Sequence, residues 1–503
     1  MSYYVIGIGG TSARCIESLV HLCAMGLGEN KLHIIVVDPD QAHGNLSRTK
    51  ILIDRYCRLK KKIESKELFK SEIVLPKKEG ETTIAWSPVG EKRNLIDFLN
   101  YYALSKKYQD LCNLLYKENE LKLEWDQGFK GRPSVGAPVM ANINFEDKIW
   151  YDFLKDIRED LSRGEDVRLV TFATGFGGTG ACGFPNIANA LRLEAVEENW
   201  QNINKFKIGG IFLLPYFSFE IPPEKKEEIY ARPEYFLCNT KAVLLHYGFL
   251  WKENPPYDVV YFIGDQVFDS EGREFCEGGG GQENAVHYIE LLAALGALDF
   301  FKRTDLPERG FRQYYCGREV ETEESKTVAW EDMPMSRELK NHIIYFTSMA
   351  IAYLSFYYPL IKDERFEQKR KLSPWYIDFF SKYELTSEEV KKDQEELAKY
   401  FKEYLRWISE IHLSTERELK WLNKEVMKDI AKSIKNGKDI WISDTYFISL
   451  LSETPASLRY GYDSVWAEMC RIQAEKNISA FGKFVNLLYS AIKKFCNKNY
   501  NLL

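Results

Sequence analysis

Two apolar strands, each running straight into a glycine-rich turn and then a helical pattern, constrain this chain most. The first is YYVIG (3–7), continued by Gly7, Gly9, Gly10, Thr11 and Ser12. The second is RLVTFAT (168–174), whose last residue, Thr174, leads into Gly175, Phe176, Gly177, Gly178, Thr179, Gly180 and Ala181. Glycine in such a turn permits a tight backbone and close approach of a phosphate, while the following helix offers free N–H groups and its positive end. A lone GxGG can also be no more than a tight structural turn. Two such turns can enclose a di- or triphosphate from both sides, with the Thr179 hydroxyl adding a contact or helping to hold a hydrated metal. Neither contains the lysine of GxxxxGK[ST]. A phosphate site here relies on backbone donors, helix ends and Mg²⁺, and no protein metal ligand is assigned.

HIIVVD (33–38) is a third such strand, ending at an aspartate, and FKIGGIFLLPYF (206–217) is a further apolar segment. The β-branched content of the first three predicts buried parallel strands with helices on both faces. The expectation is an α/β, Rossmann-like nucleotide-binding domain over residues 1–220. A second, mixed α/β domain is expected over 221–360. It opens on the charged, proline-rich IPPEKKEEIYARPE and contains helix candidates at 239–250 and 286–301. A strand candidate covers 257–265, and EGGGGQEN (277–284) reads as a surface excursion. Residues 361–503 read as a helical C-terminal region, with Ser387 placed to cap its first long helix. Leu397, Tyr400, Tyr404 and Ile408 recur there at helical spacing, as domain core or as a face for a protein partner.

Composition excludes several classes. The 503 residues are 45% hydrophobic and 28% charged, which is globular rather than disordered. A formal net charge of −6 gives no support to general nucleic-acid binding. No uninterrupted apolar run reaches the roughly 20 residues of a spanning helix, and the start lacks a signal-like pattern. The 10 cysteines form no CxxC pair, so neither structural zinc nor a disulfide framework is indicated and a cytoplasmic location is expected. GxSxG is absent, and the histidines and acids form no zinc pattern.

Asp38 ends the second strand, where it either holds a ribose or nucleotide-adjacent hydroxyl or caps a turn. An NAD(P)-dependent oxidoreductase accounts for Gly7, Gly9, Gly10 and Asp38 but leaves the second glycine turn without a role.

FGGTGACG (176–183), together with IGIGGTSA (6–13), resembles the paired phosphate loops of the tubulin/FtsZ superfamily, and more closely its divergent bacterial tubulin-like branch. Gly177, Gly178, Thr179 and Gly180 match the GGGTG[ST]G hallmark, whereas Phe176 replaces a glycine and Gly183 is displaced by one position. The resemblance covers roughly residues 1–350. It implies GTP/GDP with Mg²⁺ as ligand, self-assembly into an oligomer or filament, and GTP hydrolysis completed by an acid from the next subunit. LCNTKAVLLHYG (237–248) would begin the family's central core helix. Asn239 is then placed for the guanine edge, or is an ordinary early-helix asparagine. Arg132, in FKGRP, would touch the nucleotide or order its loop, or is an exposed solubilising arginine. The family's NxDxx[DE] segment is not visible after Gly248, leaving Asp258, Glu283 and Glu290 as candidate acids. The alternative is a non-hydrolysing structural or regulatory module of a bacterial multicomponent system, a defence system included.

Overall fold

The computed structural model describes residues 2–78, 80–221, 232–265, 273–274, 279–307, 310–317, 327–362, 388–413, 417–451, 461–472, 479–500 and 502. Most of the proline-rich stretch after 221, and Ser387, lie outside them.

Eight strands make one sheet: β1 (Tyr3–Ile8), β2 (Lys31–Val37), β3 (Glu72–Val74), β4 (Ala85–Trp86), β5 (Val167–Thr174), β6 (Phe206–Leu213), β7 (Val259–Ile263) and β8 (Arg312–Cys316). Their order is β8-β7-β6-β5-β1-β2-β3, with β4 pairing the carboxyl end of β2, and every pairing is parallel. Parallel strands need both faces covered, and the apolar runs supply this: every residue of β1 and of β7 is buried. One face carries α1 (Gly10–Ala24), α2 (Gly44–Ile63) and α7 (Tyr288–Lys302). The other carries α3 (Pro133–Ala141), α4 (Lys148–Ser162), α5 (Gly178–Glu197) and the inner side of α6 (Phe236–Leu250).

Two features refine the expected layout. The boundary at 220 falls between β6 and β7, which are hydrogen-bonded neighbours, so β7 and β8 of the 221–360 range continue the sheet of residues 1–220. The helix running through the core beside α1 is α7, not α6. Both are apolar by sequence, but Gly296 of α7 brings its backbone close to the sheet, where a Cβ would lie 3.2 Å from Ile211 Cδ1. In contrast, α6 leaves Leu237, Leu245 and Phe249 exposed. Burial of α7's Leu291, Leu295, Leu298 and Phe300 contributes about 1.5–3 kcal/mol per side chain.

The C-terminal region, preceded by α8 (Ser336–Ala352), is mainly helical over its described residues, with α9 (Glu388–Leu413), α10 (Lys424–Lys435), α11 (Tyr462–Arg471) and α12 (Ala480–Tyr500). It shares the larger core with α1, α2 and α7. The stripe Leu397, Tyr400, Tyr404 and Ile408 is fully buried. Trp407 Nε1 donates to Ser18 Oγ at 3.0 Å, and Arg406 pairs with Glu17 of α1. This stripe is therefore core, which leaves a partner only the outer faces. The segment Ser336–Leu360 is long and apolar enough to cross a membrane, but 83% of its apolar window is buried inside the protein.

Candidate functional site

β1 leads through α1 to β2 on one side of the sheet, and β5 leads through α5 to β6 on the other. The strand order therefore reverses between the neighbours β1 and β5, where ligands of open parallel sheets bind at the carboxyl ends. The N-termini of α1 and α5, on opposite faces, open onto this point. Gly9 precedes α1 with φ 82°, a left-handed conformation that favours glycine. A Cβ on Gly9 would lie 3.3 Å from both Gly180 N and Thr179 Cβ. The two turns thus face each other across less than one side chain, bringing together Gly9, Gly10 and Thr11 with Gly178, Thr179 and Gly180.

The remaining glycine-turn residues brace this crevice. Ser12 Oγ donates to Gly9 O at 2.6 Å, and Gly7 leaves the room that hydroxyl needs, because a Cβ there would lie 2.5 Å from it. Thr174 lies beneath the second turn, where a Cβ on Gly180 would meet its backbone N at 2.8 Å and one on Gly177 its Oγ1 at 2.8 Å. Gly175 N donates to Leu213 O at 2.9 Å. Phe176, the departure from the hallmark, is buried with its ring 4.9 Å from that of Phe236 and 6.0 Å from that of Tyr216. An aromatic is accommodated because it anchors the turn from behind.

Residues 126–132 form a third wall. A Cβ on Gly178 would lie 3.1 Å from Gly131 N and from Arg132 N. The Arg132 guanidinium pairs with Glu120, so it is the backbone of Arg132 that faces the turn. At Gly128, a Cβ would be 3.6 Å from Thr179 Oγ1 and 3.8 Å from Asp38 Oδ1, which places that hydroxyl and carboxylate beside the same glycine. Asp38 is buried and accepts from Asp40 N at 3.1 Å. Burial, with the charge of Asp40 adding to it, pushes the Asp38 pKa up to about 8. Asp40 is also buried, and burial raises its pKa too. Asp38 and the Thr179 hydroxyl are oxygen donors of the kind a hard divalent cation takes, and binding one there would require Asp38 to give up its proton. Among the described residues no group of three or more His, Cys, Asp or Glu is placed to hold a metal, so Mg²⁺ there would need phosphate oxygens as well.

The glycine run, expected to be a surface excursion, is docked over its described part. Gly44 N and Asn45 N, at the start of α2, donate to Gly279 O and Gln282 O at 3.1 and 3.0 Å, and Gly279 N donates to Asp40 Oδ2 at 2.8 Å. Asn284 and Asn45 exchange hydrogen bonds at 2.9 and 3.1 Å. Asp40, His43 and Gln282 were not singled out in the sequence; the D-P-D spacing after β2 is the signal for the first of them.

The candidate acids are dispersed. Glu290 is fully buried in the first turn of α7, where Oε1 accepts from Arg14 Nε at 2.6 Å and Tyr216 Oη at 2.5 Å, and Oε2 accepts from His287 N at 2.9 Å. Its carboxylate is committed to holding Arg14 and the helix start. Asp258 lies at the other end of the sheet, before β7, paired with Arg192 at 2.6 Å and accepting from Ile208 N at 2.7 Å. Glu283 is exposed on the docked segment. Asn239 is half-buried in the first turn of α6. The next residue, Thr240, reaches the second turn, with Cγ2 3.1 Å from a Cβ built on Gly175. Thr240 also lines a mostly apolar groove of about 640 Å³ with Leu214, Leu244, Phe262 and Tyr315.

No family model matches the chain, and no curated protein matches it. Among solved structures it is similar to CetZ2 from Haloferax volcanii, determined as a GTPγS-bound protofilament, at 14% identity and a TM-score of 0.28 over 61% of this chain. The chain spans 60% of the length of that protein.

Proposed function

We propose that this chain is a tubulin-like guanine-nucleotide-binding protein of the cytoplasm whose nucleotide state governs self-assembly or recruitment of a protein partner. The observation that carries the binding is the convergence of two helix N-termini on the switch point of the sheet, with Gly9 against Thr179 and Gly180. Backbone N–H groups of Gly10, Thr11, Gly178, Thr179 and Gly180 would take phosphate oxygens, and the two helix ends favour the negative charge. Thr179 and a deprotonated Asp38 would hold Mg²⁺ with the phosphates. Asn239 and the adjoining groove are the candidates for the base. The burial of Asp38 beneath residues 126–132 weighs against the oxidoreductase alternative, since a ribose-binding acid stands open at the strand tip.

Hydrolysis has less support than binding. Water attack on a terminal phosphate needs an acid or polar group free to orient the water. Glu290 and Asp258 are held in ion pairs, and of the three candidates only Glu283, exposed on the docked segment, is free to reach a neighbouring copy. The second reading is a module that binds nucleotide without turning it over.

The test is a binding panel of GTP, GDP, ATP and NAD, with and without Mg²⁺, run beside sedimentation and phosphate release. The expected result is preferential GTP and GDP binding that weakens on chelation by EDTA. Nucleotide-dependent sedimentation with phosphate release selects the GTPase, and binding without turnover at assembling concentrations selects the module. NAD binding with no response to guanine nucleotides would sink both.

A further inference from the structure

His43, the residue before α2, is 6% exposed. Its ring covers the first residue of α1: a Cβ on Gly10 would fall 2.4 Å from Nε2 and 2.8 Å from Cε1. The imidazole does not cap its own helix, because no side-chain cap bond is made at the start of α2. Those N–H groups are taken by Gly279 O and Gln282 O instead. The other ring nitrogen, Nδ1, is buried without a hydrogen-bond partner, as is one ring nitrogen of each of His21, His33 and His412. It is therefore Nε2, over Gly10 and on a ring that Gln282 hydrogen-bonds, that meets the α1 end. Burial, with the charge of Arg14 and then Arg48 adding to it, holds the His43 pKa down to about 4. At pH 7 the ring is therefore neutral, one nitrogen carrying a proton and the other a lone pair.

A neutral N–H donor over the first turn of α1 is the complement of a phosphate oxygen held by that turn. We propose that His43 is a direct phosphate ligand of the crevice, donating a ring N–H to a nucleoside di- or triphosphate at the α1 end. Gln282 lies beside the ring, and the docked 279–284 segment fixes the start of α2, so the imidazole is oriented before ligand arrives. This inference rests on the reading of the crevice as a nucleotide site and adds to it a side chain that neither glycine turn contains.

The experiment is calorimetry on the full chain with GTP, GDP and guanosine in the presence of Mg²⁺, for the wild type, His43→Ala and His43→Gln. The expected result is a loss of about tenfold in GTP and GDP affinity for His43→Ala, the scale of one hydrogen bond to a charged group. Guanosine affinity should stay unchanged, and His43→Gln, which keeps an N–H donor, should recover part of the loss. A folded His43→Ala protein with wild-type affinity for both nucleotides overturns the proposal. So does an equal loss for guanosine, which marks a packing role. Should His43→Ala fail to fold, the imidazole ¹⁵N spectrum of the wild type decides. With 7 histidines in the chain, the His43 signal, assigned from its absence in His43→Gln, should move on saturation with GDP, and an unmoved signal overturns the proposal. A wild type that binds no nucleotide removes the underlying reading and this inference with it. Wild-type binding with an indifferent His43→Ala removes the inference alone.

Discussion

Three helices begin near one another around the crevice, and their N-termini have different fates. At α2 the chain fills the helix end itself. Gly279 O and Gln282 O accept the first N–H groups, and glycine is needed at position 44 because a Cβ would lie 2.8 Å from Gly280 O and from Gln282 O. At α1 and α5 no carbonyl from outside the helix accepts from Gly10, Thr11, Gly178, Thr179 or Gly180 among the described residues. The glycines at all three starts serve close backbone approach, but at α2 the approaching backbone is the protein's own. A glycine-led helix start is thus only half of an anion site; the other half is that nothing in the chain already satisfies it.

The largest effect expected from breaking this contrast is at Gly9. Gly9→Ala puts a methyl group 3.3 Å from Gly180 N and Thr179 Cβ, on a residue with φ 82°. With ψ 167° this backbone is essentially confined to glycine and costs alanine about 1–3 kcal/mol, and the methyl group narrows the gap between the two turns. GTP affinity should fall by about a hundredfold or more in a protein that still folds, with the melting transition lowered by no more than that strain, as read by calorimetry and thermal unfolding. Retained affinity would place the nucleotide elsewhere. Gly178 is a poorer position for this test, because a side chain there meets Phe129, Gly131 and Arg132 and disturbs the fold as well as the ligand.

Gly44→Ala probes the filled end and should invert the pattern. Its methyl group must displace two carbonyl oxygens of the docked segment, at a cost of about 1–3 kcal/mol that thermal or urea unfolding reads directly. Nucleotide affinity should fall by less than it does for Gly9→Ala. If Gly44→Ala instead lowers affinity as much with no change in stability, α2 is a third binding end and the contrast fails.

The sheet and the crevice are legible in the sequence because both are local. A β-branched run ending in glycine is a buried strand and a turn whatever its surroundings, and β1 and β5 follow from it, while β2 and β6 follow from their apolar runs. The choice between α6 and α7 as the core helix is not local: both are apolar throughout, and only the strands they cover decide which outer face stays exposed. The continuation of the sheet past 220 is hidden for the same reason, since a proline-rich charged stretch reads as a linker whether or not the next strand returns to the same sheet. Glu290 shows the limit for side chains. As an acid beside a glycine run it resembles a catalyst, and only the positions of Arg14 and Tyr216, distant in sequence, commit it to an ion pair. His43 has no motif to announce it, because its role depends on the ring lying over Gly10, a contact that only the fold creates.

The smallest expected effect is a pH signature that separates the open end from the rest of the core. His21 and His412 are buried neutral with pKa values held down to about 3 by burial, and His43 is held at about 4. An unfolded histidine titrates near 6.5, so between about pH 6.5 and 4 the unfolded chain binds protons that the folded chain refuses. Stability is therefore lost as pH falls through that window, by up to about 1.4 kcal/mol per pH unit for each histidine. Below it the Glu17 contribution goes as well: burial opposes its charge, but Arg406 and Arg48 outweigh burial and hold its pKa at about 2. Its pairing is fully present above the unfolded carboxylate range and lost as pH falls toward 2. The comparison enters through the ligand. His21 lies between α1 and α9, with Nδ1 3.2 Å from Tyr400 Oη, and no ligand at the crevice reaches it. A phosphate beside His43 stabilises its imidazolium and raises its pKa toward the unfolded value, cancelling its share of the slope. Unfolding by urea at several pH values, with and without saturating GDP, should show the ligand-bound slope reduced by about one proton. An unchanged slope in a chain that binds GDP would mean that the phosphates do not reach the α1 end beside His43.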